Sequence, residues 1–438
     1  MRIIEGFQSA KSALSRQPLS ELYTVTPVLR QRLKVLFGTG DPEQAVRQII
    51  DDVRQRGDAA LLDYTSRIDG VELASLEVSN QQIASACKRV NEELAYALRL
   101  AAERIRSFHV AHKRQIRDEV NISGSSQLMR PLECVGVYAP GGTACYPSTV
   151  LMTALPAKVA GVKKVFLVTP PGADGTVPPA TLLTAAVAEV DRVFCVGGAH
   201  AIAALAYGTD SIPRVDKICG PGNIFVVLAK KLVYGTVDVD GLQGPSEVVI
   251  IADETANPEY CAADLLAQAE HDPLASAILI TTSKPLVAAV NREIQQQLKG
   301  LARRDIISEC LENMGIIAVV ADIDEAIELA NLYAPEHLCL MVKSADAHIK
   351  KISNAGCVFV GDDSSVALGD YVEGPSHVLP TGGSARFGSP LNIMDFIKFM
   401  NLVTIDKKRL RELGQAAITI AGAEGLEAHA RAVERRLR

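Results

Sequence analysis

The chain has no tryptophan, and its ten tyrosines and ten phenylalanines make up only 5% of 438 residues. No basic tract offsets that shortage, since 45 Lys and Arg face 51 Asp and Glu for a net charge of −6. With neither a cationic surface for phosphates nor aromatic surface for stacking bases, nucleic acid is excluded as the main partner. Every apolar run falls short of the roughly 20 residues that a membrane-spanning helix needs, so no membrane partner is expected. The first residues, MRIIEGFQSAKSAL, lack the apolar core of an export signal. Nine cysteines is an odd number and no two have CxxC spacing, which argues against a disulfide framework and a thiolate zinc site. Together these absences predict a reduced, cytoplasmic protein.

What is present is an ordinary globular composition, 48% hydrophobic and 22% charged. A chain of this length can bury a large core, so a metal found here serves function and not stability. The first 130 residues read as mostly helical, with Asp41-Pro42-Glu43 as a helix start and a long amphipathic stretch over 91–117. From about residue 133 short β-rich runs alternate with helical runs of ten to fifteen residues, the pattern of βαβ units and a parallel sheet. The run 139–246 forms one such α/β domain. A second set over 247–390 forms another and takes in residues 36–138. Residues 1–35 and 391–438 are helical extensions. Two βα arrays predict two lobes and a cleft, with ligands at the carboxyl ends of strands.

The titratable residues narrow the chemistry. NLYAPEHLCLMV, residues 331–342, sets Glu336 and His337 side by side in an apolar run. Burial of two such groups needs pairing or a task. One reading is a surface turn, with Pro335 breaking the run and Glu336 starting a helix, and the other is a general acid/base pair at the mouth of a cleft. Asp264, Gln268 and His271 share one helix face by spacing. His271 there is either a histidine favoured by the helix C-terminal dipole or a ligand. His377 lies in GDYVEGPSHVLPTGG, a glycine- and proline-rich loop that also carries Asp370 and suits binding. His109 and His112, on the long helix among Arg and Lys, read as a solvated face, and His348 reads as surface. GPGN (220–223) and APGG (139–142) follow strands and can bring backbone amides to a phosphate, but neither is a GxGxxG fingerprint.

In this order, VGVYAPGGTACYPSTVLM, VGGAHAIAALAYGT, DKICGPGNIFV, GPSEVVIIAD, DLLAQAEHDP, YAPEHL, GDYVEGPSHVLPTGGSARF and EGLEAHARAV closely resemble the histidinol dehydrogenase family. The resemblance implies two incomplete Rossmann-like domains, with the terminal extensions used in dimerisation. It implies a homodimer with shared active sites, one Zn2+ per subunit and NAD, oxidising L-histidinol through the aldehyde to L-histidine. Carried over by motif, the metal ligands are Gln268, His271, Asp370 and His429, the last reaching across from the partner subunit. Glu336 and His337 are the catalytic pair. Ser246, His377 and Glu424 join the catalytic and metal residues in contacting substrate. Tyr138, His200 and Asn223 line the NAD site.

Three positions depart from the family pattern. His200 stands where glutamine is usual, Gln243 where a small residue is usual, and Ser376 where asparagine is usual. They bear on cofactor and substrate detail. The competing expectations are a relative that uses the same machinery on another small alcohol, such as a sulfonated propanediol, and a two-lobed binding protein without catalysis.

Overall fold

The runs EVVIIA, SAILIT and IIAV show no apolar/polar alternation, which is the mark of strands covered on both faces. In the computed structural model they form the centre of a six-stranded sheet. Its order is Arg2–Glu5, Ile316–Val319, Ser276–Thr281, Glu247–Ala252, His337–Met341 and Cys357–Val360, with every pairing parallel. The structure describes residues 1–16, 26–116, 119–122, 125–141 and 145–438. Residues 17–25 of the expected N-terminal extension and Gly142 of the APGG turn lie outside the described residues.

The two faces of this first sheet feed separate cores. Val248 and Ile250 join one with the helix Pro258–Ala269, while Val249 and Ile251 join the other with the helix Ile323–Tyr333. The period of two along a strand makes this division. The chain leaves Glu247–Ala252 towards one edge, then returns to place His337–Met341 on its other side.

The second six-stranded sheet has the order Glu77–Val78, Arg192–Cys195, Lys164–Thr169, Cys134–Tyr138, Lys217–Cys219 and Asp238–Val239. Only the Glu77–Val78 pairing is antiparallel. The α/β expectation holds, but the domain boundaries change. Cys134–Tyr138 lies inside the second sheet, and the helix Pro42–Arg56 packs on the helices Gly198–Tyr207 and Ile224–Val233 of that lobe. Residues 42–56 and 134–138 therefore go with the second sheet and not with 247–390. An amphipathic helix specifies that a face is buried, not which core receives it. The helical reading of residues 1–35 is corrected too, since Arg2–Glu5 is an edge strand of the first sheet.

Both sheets belong to one compact unit, residues 1–113 and 132–396. Residues 114–131 and 397–438 form a second. In it Ile397–Val403 pairs antiparallel with Ser125–Pro131, which pairs in turn with Glu119–Ile122. The tail is thus not wholly helical. Its two helices, Lys407–Ala423 and Glu427–Leu437, pack together where Gly414 admits the Leu437 side chain. Among the described residues no helix is long and apolar enough to cross a membrane.

Candidate active site

Glu336 and His337 do not begin a helix. Ala334 ends the helix Ile323–Tyr333 in the left-handed conformation, φ 52°, and His337 is the first residue of a strand. That strand pairs with Glu247–Ala252, with Val248 opposite His337. The pair therefore stands at the amino ends of two adjacent parallel strands, contrary to the carboxyl-end expectation. The Glu336 carbonyl accepts from Cys357 N at 2.9 Å, and a Cβ on Gly356 would lie 2.6 Å from that oxygen. Glycine is needed there for the neighbouring strand to come this close.

Strand starts leave backbone N–H groups without ladder partners, and Glu336 uses one. Its Oε2 accepts from Glu247 N at 2.8 Å and from the Ser246 hydroxyl. The Nδ1–H of His337 donates to the Glu247 carbonyl at 3.1 Å, which turns Nε2 towards Asp370 Oδ1, also at 3.1 Å. Both side chains are buried, at 3% exposure for His337 and 9% for Glu336. Burial pushes the Glu336 carboxyl up to about 7, against the opposing pull of His337 and the Ser246 hydrogen bond. Burial works to lower the His337 pKa, but the Glu336 charge and the Asp370 hydrogen bond outweigh it and raise the imidazole to about 9. At neutral pH the pair holds a proton in reserve.

Asp370 is fixed at both ends. Its carboxylate meets His337, and its carbonyl accepts from His377 Nδ1 at 2.8 Å. His377 Nε2 lies 3.3 Å from Thr149 Oγ1, tying the loop to the helix Pro147–Ala160 of the other lobe. Ser376 makes a parallel tie, its hydroxyl donating to the Met152 carbonyl at 3.1 Å. His271 lies just past the end of the helix Pro258–Ala269. Its pKa is lowered, chiefly by desolvation, against the pull of Asp370. Gln268, one turn back, is 3% exposed and its side-chain nitrogen has no partner.

Most of these residues meet in a cleft of about 560 Å³, whose lining leaves out Gln268 and Ser376. Ser246, His271, Glu336, His337, Asp370 and His377 line it from the first lobe, and Asn223 and Thr149 from the second. Arg303 also lines it, a cation that no motif pointed to. Among the described residues no three His, Cys, Asp or Glu side chains form a metal-sized group. Glu424 and His429 belong to the second compact unit, where both are exposed.

Tyr138, His200 and Asn223 line one cavity of about 260 Å³ at the carboxyl ends of the second sheet. The Tyr138 hydroxyl accepts from Gly198 N at 3.2 Å. His200 is 1% exposed, its Nδ1 has no partner, and burial lowers its pKa to about 3. Asn223 caps the helix Ile224–Val233, its Oδ1 accepting from Phe225 N and Val226 N at 3.0 and 3.3 Å. Gly220 before it has φ 114°, and a Cβ there would sit 2.1 Å from the Tyr138 carbonyl oxygen. This position lets the GPGN turn lie directly on the strand end. His109 departs from expectation, being fully buried with both ring nitrogens unpartnered.

A family model described as histidinol dehydrogenase matches residues 38–437. The histidinol dehydrogenase of Dehalococcoides mccartyi strain CBDB1 is 56% identical over 440 residues, covering 100% of both chains. That of Deinococcus radiodurans is 49% identical over 447 residues, again covering 100% of each. The crystal structure of histidinol dehydrogenase from Elizabethkingia anophelis superposes with a TM-score of 0.91 at 36% identity, covering 100% of this chain and 98% of that one. Sequence and fold agree over the whole length, and the chain belongs to the histidinol dehydrogenase family of oxidoreductases.

Proposed function

We propose that this enzyme oxidises L-histidinol through the aldehyde to L-histidine, with two NAD consumed in turn and one zinc ion per subunit. The observation that carries the reading is the buried Glu336–His337 pair beside His271 and Asp370 in one cleft. NAD supplies the hydride acceptor, and zinc supplies a charged anchor for the substrate's nitrogens.

The donor set suits zinc. His271 offers an imidazole and Asp370 a carboxylate to the cleft, and Gln268, one turn back from His271, would add the oxygen of its amide, a rarer ligand. His429 of the partner subunit completes the set. The second unit supports that assembly. Phe399, Met400, Leu402, Val403, Leu413 and Ile420 are exposed on it, apolar side chains of the kind that an interface covers. For NAD, the unpartnered His200 Nδ1 in the Tyr138–Asn223 cavity offers a hydrogen bond to the cofactor. The nine cysteines are all free thiols, which suits a cytoplasmic home.

His337 is the base. With Nδ1–H committed to the Glu247 carbonyl, the nitrogen that can take a proton is Nε2. That atom is held by Asp370 as long as the carboxylate has no other cation to serve. Were Asp370 to hold zinc, that hydrogen bond would weaken and Nε2 would be free to accept the hydroxyl proton as hydride leaves the carbinol carbon. In the second oxidation Glu336, with its pKa near 7, takes a proton from the water that adds to the aldehyde. His337 then removes the hydrate's hydroxyl proton as the second hydride leaves.

A substrate panel tests the reading. NAD reduction with L-histidinol and L-histidinaldehyde, and none with sulfonated propanediols, supports it. Turnover of the sulfonated alcohols in preference to histidinol replaces it with the other substrate, and ligand binding without any turnover leaves only a binding protein.

A further inference from the structure

Glu247 takes no part in the reaction just described, yet it touches both members of the pair. Its N–H donates to Glu336 at 2.8 Å, and its carbonyl accepts from His337 at 3.1 Å. Its own carboxylate is buried and held by a fork. Arg16 donates to it through Nη1 and through Nη2, the latter at 2.7 Å to Oε2, and Gly382 N adds a third donor at 3.2 Å. The same guanidinium reaches the other segment that delivers the pair. Arg16 Nε donates to the Tyr333 carbonyl at 2.8 Å and Nη2 to the Ala334 carbonyl at 3.3 Å, with the guanidinium carbon 3.7 Å above the Tyr333 ring.

Two chain segments set where Glu336 and His337 stand. One is the strand start at Glu247, and the other is the turn at Tyr333–Ala334. Ala334 is left-handed without being glycine, a conformation that persists only where the surroundings impose it. Arg16 binds both segments, and neither Arg16 nor Glu247 is part of the cleft wall.

We propose that Arg16 and Glu247 are a positioning pair, a buried fork that fixes the strand start against the turn and so aims Glu336 and His337. The pair touches neither substrate nor cofactor. Lysine cannot stand in for Arg16, because a single ammonium cannot serve the carboxylate and two carbonyls in one plane. The inference rests on the roles given above to Glu336 and His337.

The test compares kcat, KM for L-histidinol and for NAD, and the thermal midpoint. It uses the zinc-loaded wild type, Arg16→Lys, Arg16→Met and the double variant Arg16→Met/Glu247→Gln. Arg16→Met leaves a carboxylate buried alone and loses stability, whereas the double variant buries no unpaired charge and recovers its midpoint to within a few degrees. The expected result is that kcat in the double variant stays about 30-fold or more below wild type with both KM values within about threefold, because displacement of the reacting groups costs rate and not binding. Return of kcat together with the midpoint makes the pair merely structural and overturns the proposal. Arg16→Lys guards against a double variant that does not fold. It should keep a near-normal midpoint and lose about tenfold in kcat, and wild-type kcat in it overturns the fork. His337→Asn, measured alongside, separates the two readings. If it keeps wild-type turnover, the assignment of the base fails. If it is dead while the Arg16 variants are fully active, only the positioning pair fails.

Discussion

His337 Nδ1 lies 3.6 Å from the Glu336 carboxylate, but its hydrogen goes to the Glu247 carbonyl at 3.1 Å. The two neighbours are thus not a simple ion pair. Glu336 is held by Ser246 and the Glu247 N–H, His337 by the Glu247 carbonyl and Asp370, and each keeps its own task. His337→Asn should reduce both oxidations by about 1,000-fold, the span of a lost general base. Zinc content should stay at the wild-type level, since asparagine removes no donor of the proposed set. Metal analysis and single-turnover rates with alcohol and aldehyde check this, and loss of zinc in the variant contradicts it.

Separate roles also predict separate effects. Glu336→Gln keeps the shape and can still accept from Ser246 and Glu247 N, but it cannot take a proton from water. Oxidation of supplied aldehyde should slow by about 100-fold, and alcohol oxidation by no more than about tenfold. Equal slowing of the two steps would show that Glu336 tunes His337 and does not activate water.

His429 is exposed on the last helix of the second unit, a position suited to donating to another subunit. His429→Asn should lower zinc per subunit and remove activity. Mixing these subunits with inactive His337→Asn subunits should restore about a quarter of wild-type turnover, because half the dimers are hybrids and each hybrid has one intact site. Mixed dimers without activity place His429 in its own subunit's site.

Two buried histidines make stability depend on pH. Burial lowers His109 to about 4, with His112 adding to the effect, and lowers His200 to about 3. Both stay neutral in the fold while the unfolded chain takes up protons from about pH 6.5 downwards. The stability they contribute is complete above that value and is lost as pH falls towards the folded pKa. Each should cost about 2 kcal/mol by pH 5. Urea unfolding at pH 7.5 and 5.0 measures the sum, and His109→Met should remove its own share. A variant with the wild-type pH slope would show that His109 is protonated in the fold.

Much of this was legible in the residues. Strands alternating with helices announced the parallel sheets, and Asp41-Pro42 marked a helix start that the structure keeps. Two titratable neighbours in an apolar run drew attention to Glu336 and His337, which the structure buries side by side at the cleft. The partners of the N-terminal helices were not legible, because periodicity reports a buried face and not what covers it. Arg2–Glu5 joins Ile316–Val319 from the far side of the intervening second sheet in sequence, and four residues carry no signal of such a pairing. His109 looked solvated because Arg and Lys flank it in sequence, yet its own helix face is the buried one. The pair's place at the amino ends of strands defied a rule that the second sheet obeys. Arg16 and Glu247 are 231 residues apart, so no local spacing could join them.

The proposed four-electron oxidation in one zinc-dependent cleft is read from NADH formed per L-histidinol consumed at completion, before and after chelation and after zinc is restored. Two NADH per substrate, loss of turnover on chelation and recovery with zinc are expected. One NADH per substrate with free aldehyde accumulating, or turnover indifferent to chelation, would contradict the proposal.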